Sequence, residues 1–176
     1  MPRAPRLTCT NNHSNSEPFI QRAIIISGFP CIGKSYFKEN RPDLKVYYLD
    51  SGENDHKDKA GVWMQHYLEK VIEAVTEPHG IVMVSCHKDF RKRMQEAGLR
   101  YIRVYPRPEL KDEWLNRQEC RAGGKDILWN KMNKDWNDWM EIHGGFQGET
   151  SPEVILGRDD HLIDRLTEIC EAARNL

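Results

Sequence analysis

The chain of 176 residues has no apolar run near the ~20 residues that a membrane span requires. It has no C-x-x-C pair. Its five cysteines, Cys9, Cys31, Cys86, Cys120 and Cys170, are scattered and odd in number. That argues against a disulfide framework and against a zinc site, and a reducing cytoplasm is the simplest setting. Basic charge is not in excess: 26 Lys and Arg face 27 Asp and Glu, for a formal net charge of −1. No global field therefore points to nucleic acid, and local basic runs must carry any such role. No internal repeat is present. The opening "MPRAPRLTCTNNHSNSEPF" lacks the apolar stretch of a secretory signal. Residues 1–18 read as a disordered leader rich in Pro, Asn and Ser, or as an organelle transit peptide without an amphipathic pattern. Residues 19–176 then read as a single domain, long enough to bury a core without disulfides.

What is present is an alternation of short apolar strands with helical patterns. "AIIIS" is a β-branched run bounded by a polar leader and a glycine, and reads as a buried strand. "GKSYFKEN" starts a short helix that Pro42 ends, and "KVYYLDSG" is a second strand stopped by Gly52. After the polar loop "GENDHKDK", Val62, Trp63, Tyr67, Val71, Ile72 and Val75 recur at helical spacing. "IVMVS" and "YIRVYP" are the third and fourth strands, with the helix "DFRKRMQEAG" between them. "PELKDEWLNRQECR", the break "AGGKD" and "DILWNKMNKDWNDWMEI" make two helices, followed by the strand "EVILG" and a last helix over "DDHLIDRLTEICEAARN". The pattern predicts an α/β fold, a parallel sheet covered on both faces. The first strand should be central and the ligand edge at the carboxyl ends of the strands.

One stretch is specific. "GFPCIGKS", Gly28 to Ser35, fits G-x-x-x-x-G-K-[ST] and follows a predicted strand and precedes a helix. Gly28 and Gly33 permit a backbone geometry that a Cβ would block. The N–H groups of Phe29, Pro30's neighbours Cys31 and Ile32, and Gly33 to Tyr36 can then converge on phosphate oxygens. Lys34 would reach the β- and γ-phosphates and Ser35 would give its hydroxyl to Mg²⁺. Cys31 reads as a tolerated small residue, with a redox switch as the sharper alternative.

With this loop and this element order the sequence resembles the P-loop kinase group: nucleoside monophosphate kinases, polynucleotide 5′-kinases and their small relatives. "SGFPCIGKS" carries the resemblance, supported by "VYYLD" and by the arginine-bearing segment after the fourth strand. The chain is also similar to a family of small phage and microbial P-loop proteins, through "SGFP-x-IGKS", "VS-x-H" and "VYP…LK-E-W…R". The resemblance implies a three-layer α/β/α P-loop NTPase fold, a five-stranded parallel sheet in the order 2-3-1-4-5, a helical lid, and ATP with Mg²⁺ as cofactors. It implies that Asp50 is a general base on the acceptor hydroxyl. An Asx-turn cap or a metal-associated role stays open, and Ser51 suits either. Strand three ends in Ser85 and His87 where an acid that holds magnesium would be usual, so the second metal ligand stays open. Arg91 is a candidate for an acceptor phosphate, against a solvated helix face. Arg117 and Arg121, four apart and ahead of "AGG", imply lid arginines over the transferring phosphate, against simple pairing with Glu113. Arg158 is a candidate for base or ribose, against a capping turn. Trp129, Trp136 and Trp139 read as core packing, with base stacking beside Lys131 and Lys134 as the alternative.

The expected activity is phosphotransfer from ATP to a nucleotide or nucleoside. A hydroxyl on nucleic acid is the competitor. A hydrolysing NTPase and a non-catalytic nucleotide binder are the other classes.

Overall fold

The structure is a computed structural model and describes residues 20–49, 62–143, 145, 146 and 148–176. Asp50 and Ser51 lie outside the described residues, as does the leader.

Five strands form one parallel sheet: β1 (Ile24–Gly28), β2 (Lys45–Tyr48), β3 (Gly80–Ser85), β4 (Tyr101–Pro106) and β5 (Glu153–Leu156), in the order β2-β3-β1-β4-β5. The register pairs Gly28 with Ser85 on one side and with Val104 on the other. The β1 strand is central because it is apolar on both faces: Ile25 and Ile26 are both fully buried, on opposite sides of the sheet. Among the described residues the helices are, in chain order, α1 (Lys34–Asn40), α2 (Val62–Val75), α3 (Lys88–Glu96), α4 (Lys111–Ala122), α5 (Ile127–His143) and α6 (Leu166–Arg174). Two short 3-10 turns, Pro108–Leu110 and Leu162–Arg165, precede α4 and α6. They replace the helical starts that the sequence reading put there, Pro108 setting the first.

Two apolar cores sandwich the sheet. Tyr67, Val71, Phe90 and Met94 of α2 and α3 pack on one face. Phe29, Phe37, Trp114, Met132, Trp136 and Ile169 pack on the other. The α5 stripe is thus mainly core: Trp136 is buried and meets Phe29 edge to face at 5.6 Å. The helix is kinked at Asp135, whose φ of −105° and ψ of 16° leave the helical range.

The segment before β5 is tied down by a buried polar network. Arg91 is fully buried on α3, with its Nε 3.3 Å from a Glu149 carboxylate that is itself fully covered. Tyr101 donates its hydroxyl to the same carboxylate at 2.5 Å. Arg103 and Tyr105 hold Glu153 at 3.1 Å and 2.7 Å. Burial first, then the Glu153 hydrogen bond, pushes the Tyr105 hydroxyl up to about 12, so it stays a donor at neutral pH. Removing one partner of such a pair strands a buried charge, so Glu149→Ala is expected to lose about 3–5 kcal/mol of unfolding free energy. Urea titration checks this, and a loss below about 1 kcal/mol would show that the pair is solvated.

Among the described residues no helix is long and apolar enough to cross a membrane.

Candidate functional site

The carboxyl ends of β1, β2 and β3 open into one cleft of about 710 Å³. Its floor is the loop between β1 and α1. Cys31 takes φ 61° and Gly33 φ 88°, two left-handed residues within three positions. That alternation bends the chain so that successive N–H groups can face one concavity. At Gly28 a Cβ would stand 2.5 Å from Ile32 Cδ1 and 3.3 Å from Lys34 Cδ, so any side chain there would displace the Ile32 tip and press on the lysine. Gly33 caps α1 without any side-chain cap bond, which leaves the first-turn amides to the cleft. Lys34 Nζ lies over the loop and donates to the carbonyls of Gly28 at 2.8 Å and Phe29 at 3.1 Å. Lys34, Ser35 and Tyr36 all line the cleft, as do Pro30, Cys31 and Ile32.

Helix α4 is fastened to this loop at two points. Trp114 Nε1 donates to the Pro30 carbonyl at 3.1 Å. The Cys31 thiol donates to Gln118 Oε1 at 3.0 Å, and Gln118 Nε2 donates on to Asp126 Oδ2 at 2.9 Å. Asp126 also accepts the Trp129 amide at 2.7 Å at the start of α5. A chain of hydrogen bonds therefore runs from the phosphate loop through α4 to α5. Cys31 is more than a tolerated small residue. Burial, opposed by Arg121 and Lys34, pushes its thiol up and keeps it a donor. Gln118 was not singled out from the sequence; its mark there is a polar residue in the helical register of Trp114 and Leu115. Because Gln118 is only 2% exposed, Cys31→Ala should cost about 1–3 kcal/mol by stranding its amide oxygen. Cys31→Ser should retain most of that stability, and a thermal melt of the two variants separates them. Equal losses would mean that the thiol's hydrogen bond is immaterial.

Arg117 and Arg121 both reach the cleft from α4, as the lid reading expects. They differ in how they are held. Arg117 stacks on the Trp114 ring at 4.0 Å, donates to the Asp160 carbonyl at 2.8 Å and pairs with Glu113 at 2.6 Å. Burial would raise the Glu113 pKa, but the Asp159 amide and Arg117 outweigh it and hold it below the usual range. Glu113 is therefore ionised at neutral pH and Arg117 keeps its partner. Arg121 sits in the last turn of α4, on the thiol of Cys31. Gly123 then ends the helix at φ 71°.

On the far wall, Ser85 and His87 line the cleft beyond β3. Tyr67 positions this edge, accepting the Ser85 amide at 3.0 Å and donating to the Leu49 carbonyl at 2.7 Å. His87 meets the Trp63 ring edge-on at 6.0 Å. Three candidate side chains stand off the cleft wall. Arg91 does not line the cleft, because the Glu149 ion pair takes its guanidinium into the interior. The Phe29 side chain is buried core against Trp136 and Trp139, so only its backbone belongs to the loop. Arg158 is 73% exposed beside Glu113 and stands off the cleft wall. Its neighbour His161 does line the cleft: it covers Gly33, where a Cβ would meet its ring at 3.3 Å, and it lies 6.2 Å from the half-exposed Tyr36 ring. The amide of Leu162 bonds the Ile32 carbonyl at 2.8 Å and fixes this approach.

The residues fit a magnesium-bound polyphosphate. The loop has the left-handed turns, the cleft has Lys34, Arg117 and Arg121, and its described wall holds no carboxylate. Among the described residues no cluster of three His, Cys, Asp or Glu side chains could cage a metal. Among the described residues, Ser35 is the one that would give an oxygen to such a magnesium ion beside the phosphates, and Asp50, the other candidate, lies outside them.

No family model matches the chain, and no curated protein matches its sequence. Solved structures do match its fold. A gluconokinase from Sinorhizobium meliloti 1021 aligns over 88% of this chain and 93% of its own, at TM-score 0.55 and 11% identity. The tunicamycin resistance protein of Deinococcus radiodurans aligns over 88% of this chain and 95% of its own, at TM-score 0.52 and 15% identity. At such identities the likeness is one of architecture. The chain has the three-layer P-loop kinase-like fold, with its five parallel strands in the order 2-3-1-4-5.

Proposed function

We propose that the protein is an ATP- and Mg²⁺-dependent phosphotransferase acting on a small acceptor, with a nucleotide or nucleoside as the leading class. The observation that carries this reading is the joining of the phosphate loop to α4: Trp114 and the Cys31–Gln118 bond fasten the helix that carries Arg117 and Arg121 to the loop that leads to Lys34, and all three cations line one cleft. Phosphoryl transfer asks little covalent chemistry of a protein. It asks for positioned cations and for a cleft that limits water.

When bound, Mg-ATP supplies the phosphoryl group. Gly28 to Ser35 would hold its phosphates, Lys34 would exchange its loop carbonyls for phosphate oxygens, and Ser35 would give its hydroxyl to the metal. Arg121 neutralises charge on the transferring group, and Arg117 braces it. Tyr36 and His161 flank the place of the base. An acceptor oxygen entering past Ser85 and His87 would bond the γ-phosphorus as the bond from that phosphorus to the β,γ-bridging oxygen breaks, with its electron pair staying on ADP. Asp50, outside the described residues, is the candidate base for the acceptor's proton, with a metal-associated role as the alternative.

Incubating the chain with γ-labelled ATP and nucleotides, nucleosides, sugars or oligonucleotides tests the reading. Label should appear on an organic acceptor. Label found only as free phosphate, at rates unaffected by any acceptor, would replace transfer with hydrolysis.

A further inference from the structure

Where the cleft wall is charged, it is cationic. Lys34, Lys88, Arg117, Arg121 and Lys131 stand on it without an aspartate or glutamate among its described residues, in a chain of net charge −1. Positive charge gathered in a concavity with low-dielectric walls selects anions.

These five cations do not form one group. Lys34 and Arg121 both act on the Cys31 thiol, which places them at the phosphate loop. Arg117 is compensated by Glu113. Lys88 and Lys131 come from elsewhere. Lys88 opens α3 just beyond the carboxyl end of β3, next to His87, and Lys131 belongs to α5, one turn from Leu128. No carboxylate among the described residues forms an ion pair with either lysine. The start of α3 favours negative charge through the helix dipole; Asp89 supplies one such charge and leaves Lys88 facing the cleft. A bound anion would satisfy the lysine and the helix end together.

We propose that the acceptor is itself an anion: a small molecule bearing a phosphate or carboxylate, held by Lys88 and Lys131, besides the oxygen that receives the phosphoryl group. This rests on the phosphotransfer reading and narrows it, since a neutral nucleoside or sugar gives these two lysines nothing to bind. The volume of about 710 Å³ suits a nucleotide with a small partner. Both lysines are exposed and line the same cleft as the phosphate loop.

The test saturates the full chain with Mg²⁺ and a non-hydrolysable ATP analogue, so that the loop is filled. Inorganic phosphate and, separately, acetate are then titrated in by calorimetry, the two arms separating phosphate from carboxylate recognition. At least one anion should bind saturably. In the Lys88→Ala/Lys131→Ala double variant that binding should weaken about tenfold or more, while the analogue binds within about twofold of the parent. Matched acceptors (adenosine with AMP, glucose with gluconate and glucose 6-phosphate) are then offered with γ-labelled ATP, and any label should go to charged members.

The inference is overturned if the analogue binds but neither anion does. It is overturned too if the double variant binds the anion unchanged, or if neutral acceptors are labelled as fast as charged ones. Displacement of the anion by a single-stranded oligonucleotide, with steep salt dependence, would overturn it in favour of a polymer. Failure of the analogue itself to bind would bring down the phosphotransfer reading, and this inference with it.

Discussion

Lys34→Ala should weaken ATP binding about 10–10² fold and lower transfer by a further 10²–10³ fold. The first figure follows from losing a charge-assisted contact of about 1.5–3 kcal/mol. The second follows from removing a preorganised donor aimed at charge that develops in the transition state. The structure adds a control. Lys34 Nζ also ties together the loop carbonyls of Gly28 and Phe29, so alanine removes two hydrogen bonds as well as the charge. Lys34→Arg keeps a cation but replaces a compact ammonium with a planar guanidinium, and should recover little activity. Calorimetry with ATP and Mg²⁺, beside a thermal melt, separates the effects. An alanine variant that melts like the parent and binds ATP equally well would show that the loop is ornamental.

Arg121→Ala should lower turnover by about 10³ fold with ATP affinity changed less than about tenfold, since a lid guanidinium acts on the transferring group rather than on the ground state. The melting temperature should stay near that of the parent, because Arg121 is exposed in the last turn of α4. Arg117→Ala should behave differently. Its guanidinium stacks on Trp114 and bonds Glu113 and the Asp160 carbonyl, so its loss should reduce both turnover and stability. Single-turnover rates and melts of both variants make the comparison. Equal and purely structural losses would contradict the division of labour.

The sequence made the loop and the sheet legible for a physical reason. A Gly-rich turn between a β-branched run and a helix has few other uses, and uninterrupted apolar strands can only be buried on both faces. Lys34, Ser35, Arg117 and Arg121, singled out by motif or by i,i+4 spacing, all line the cleft. Burial was harder to see. Arg91 sits in a basic run that looks solvated, yet its partner Glu149 is 58 positions away, beyond the reach of local pattern. Phe29 lies inside the motif, but its ring belongs to Trp136 and Trp139, more than 100 positions on. Arg158 and His161 share one short loop, and only the backbone path of that loop decides which faces the cleft. Gln118 carries no motif at all. Its role follows from the left-handed turn at Cys31, which aims a thiol at a helix that the sequence places 80 residues away.

The most direct measurement is a crystal structure of the full chain with Mg²⁺ and a non-hydrolysable ATP analogue. The account predicts the β-phosphate cradled by the amides of residues 28–35, with Lys34 Nζ withdrawn from the Gly28 carbonyl onto phosphate oxygens. Arg121 should lie at the γ-phosphate, and the base between Tyr36 and His161. Nucleotide bound away from this loop, or a loop lysine still fixed on its own carbonyls beside a bound nucleotide, would contradict it.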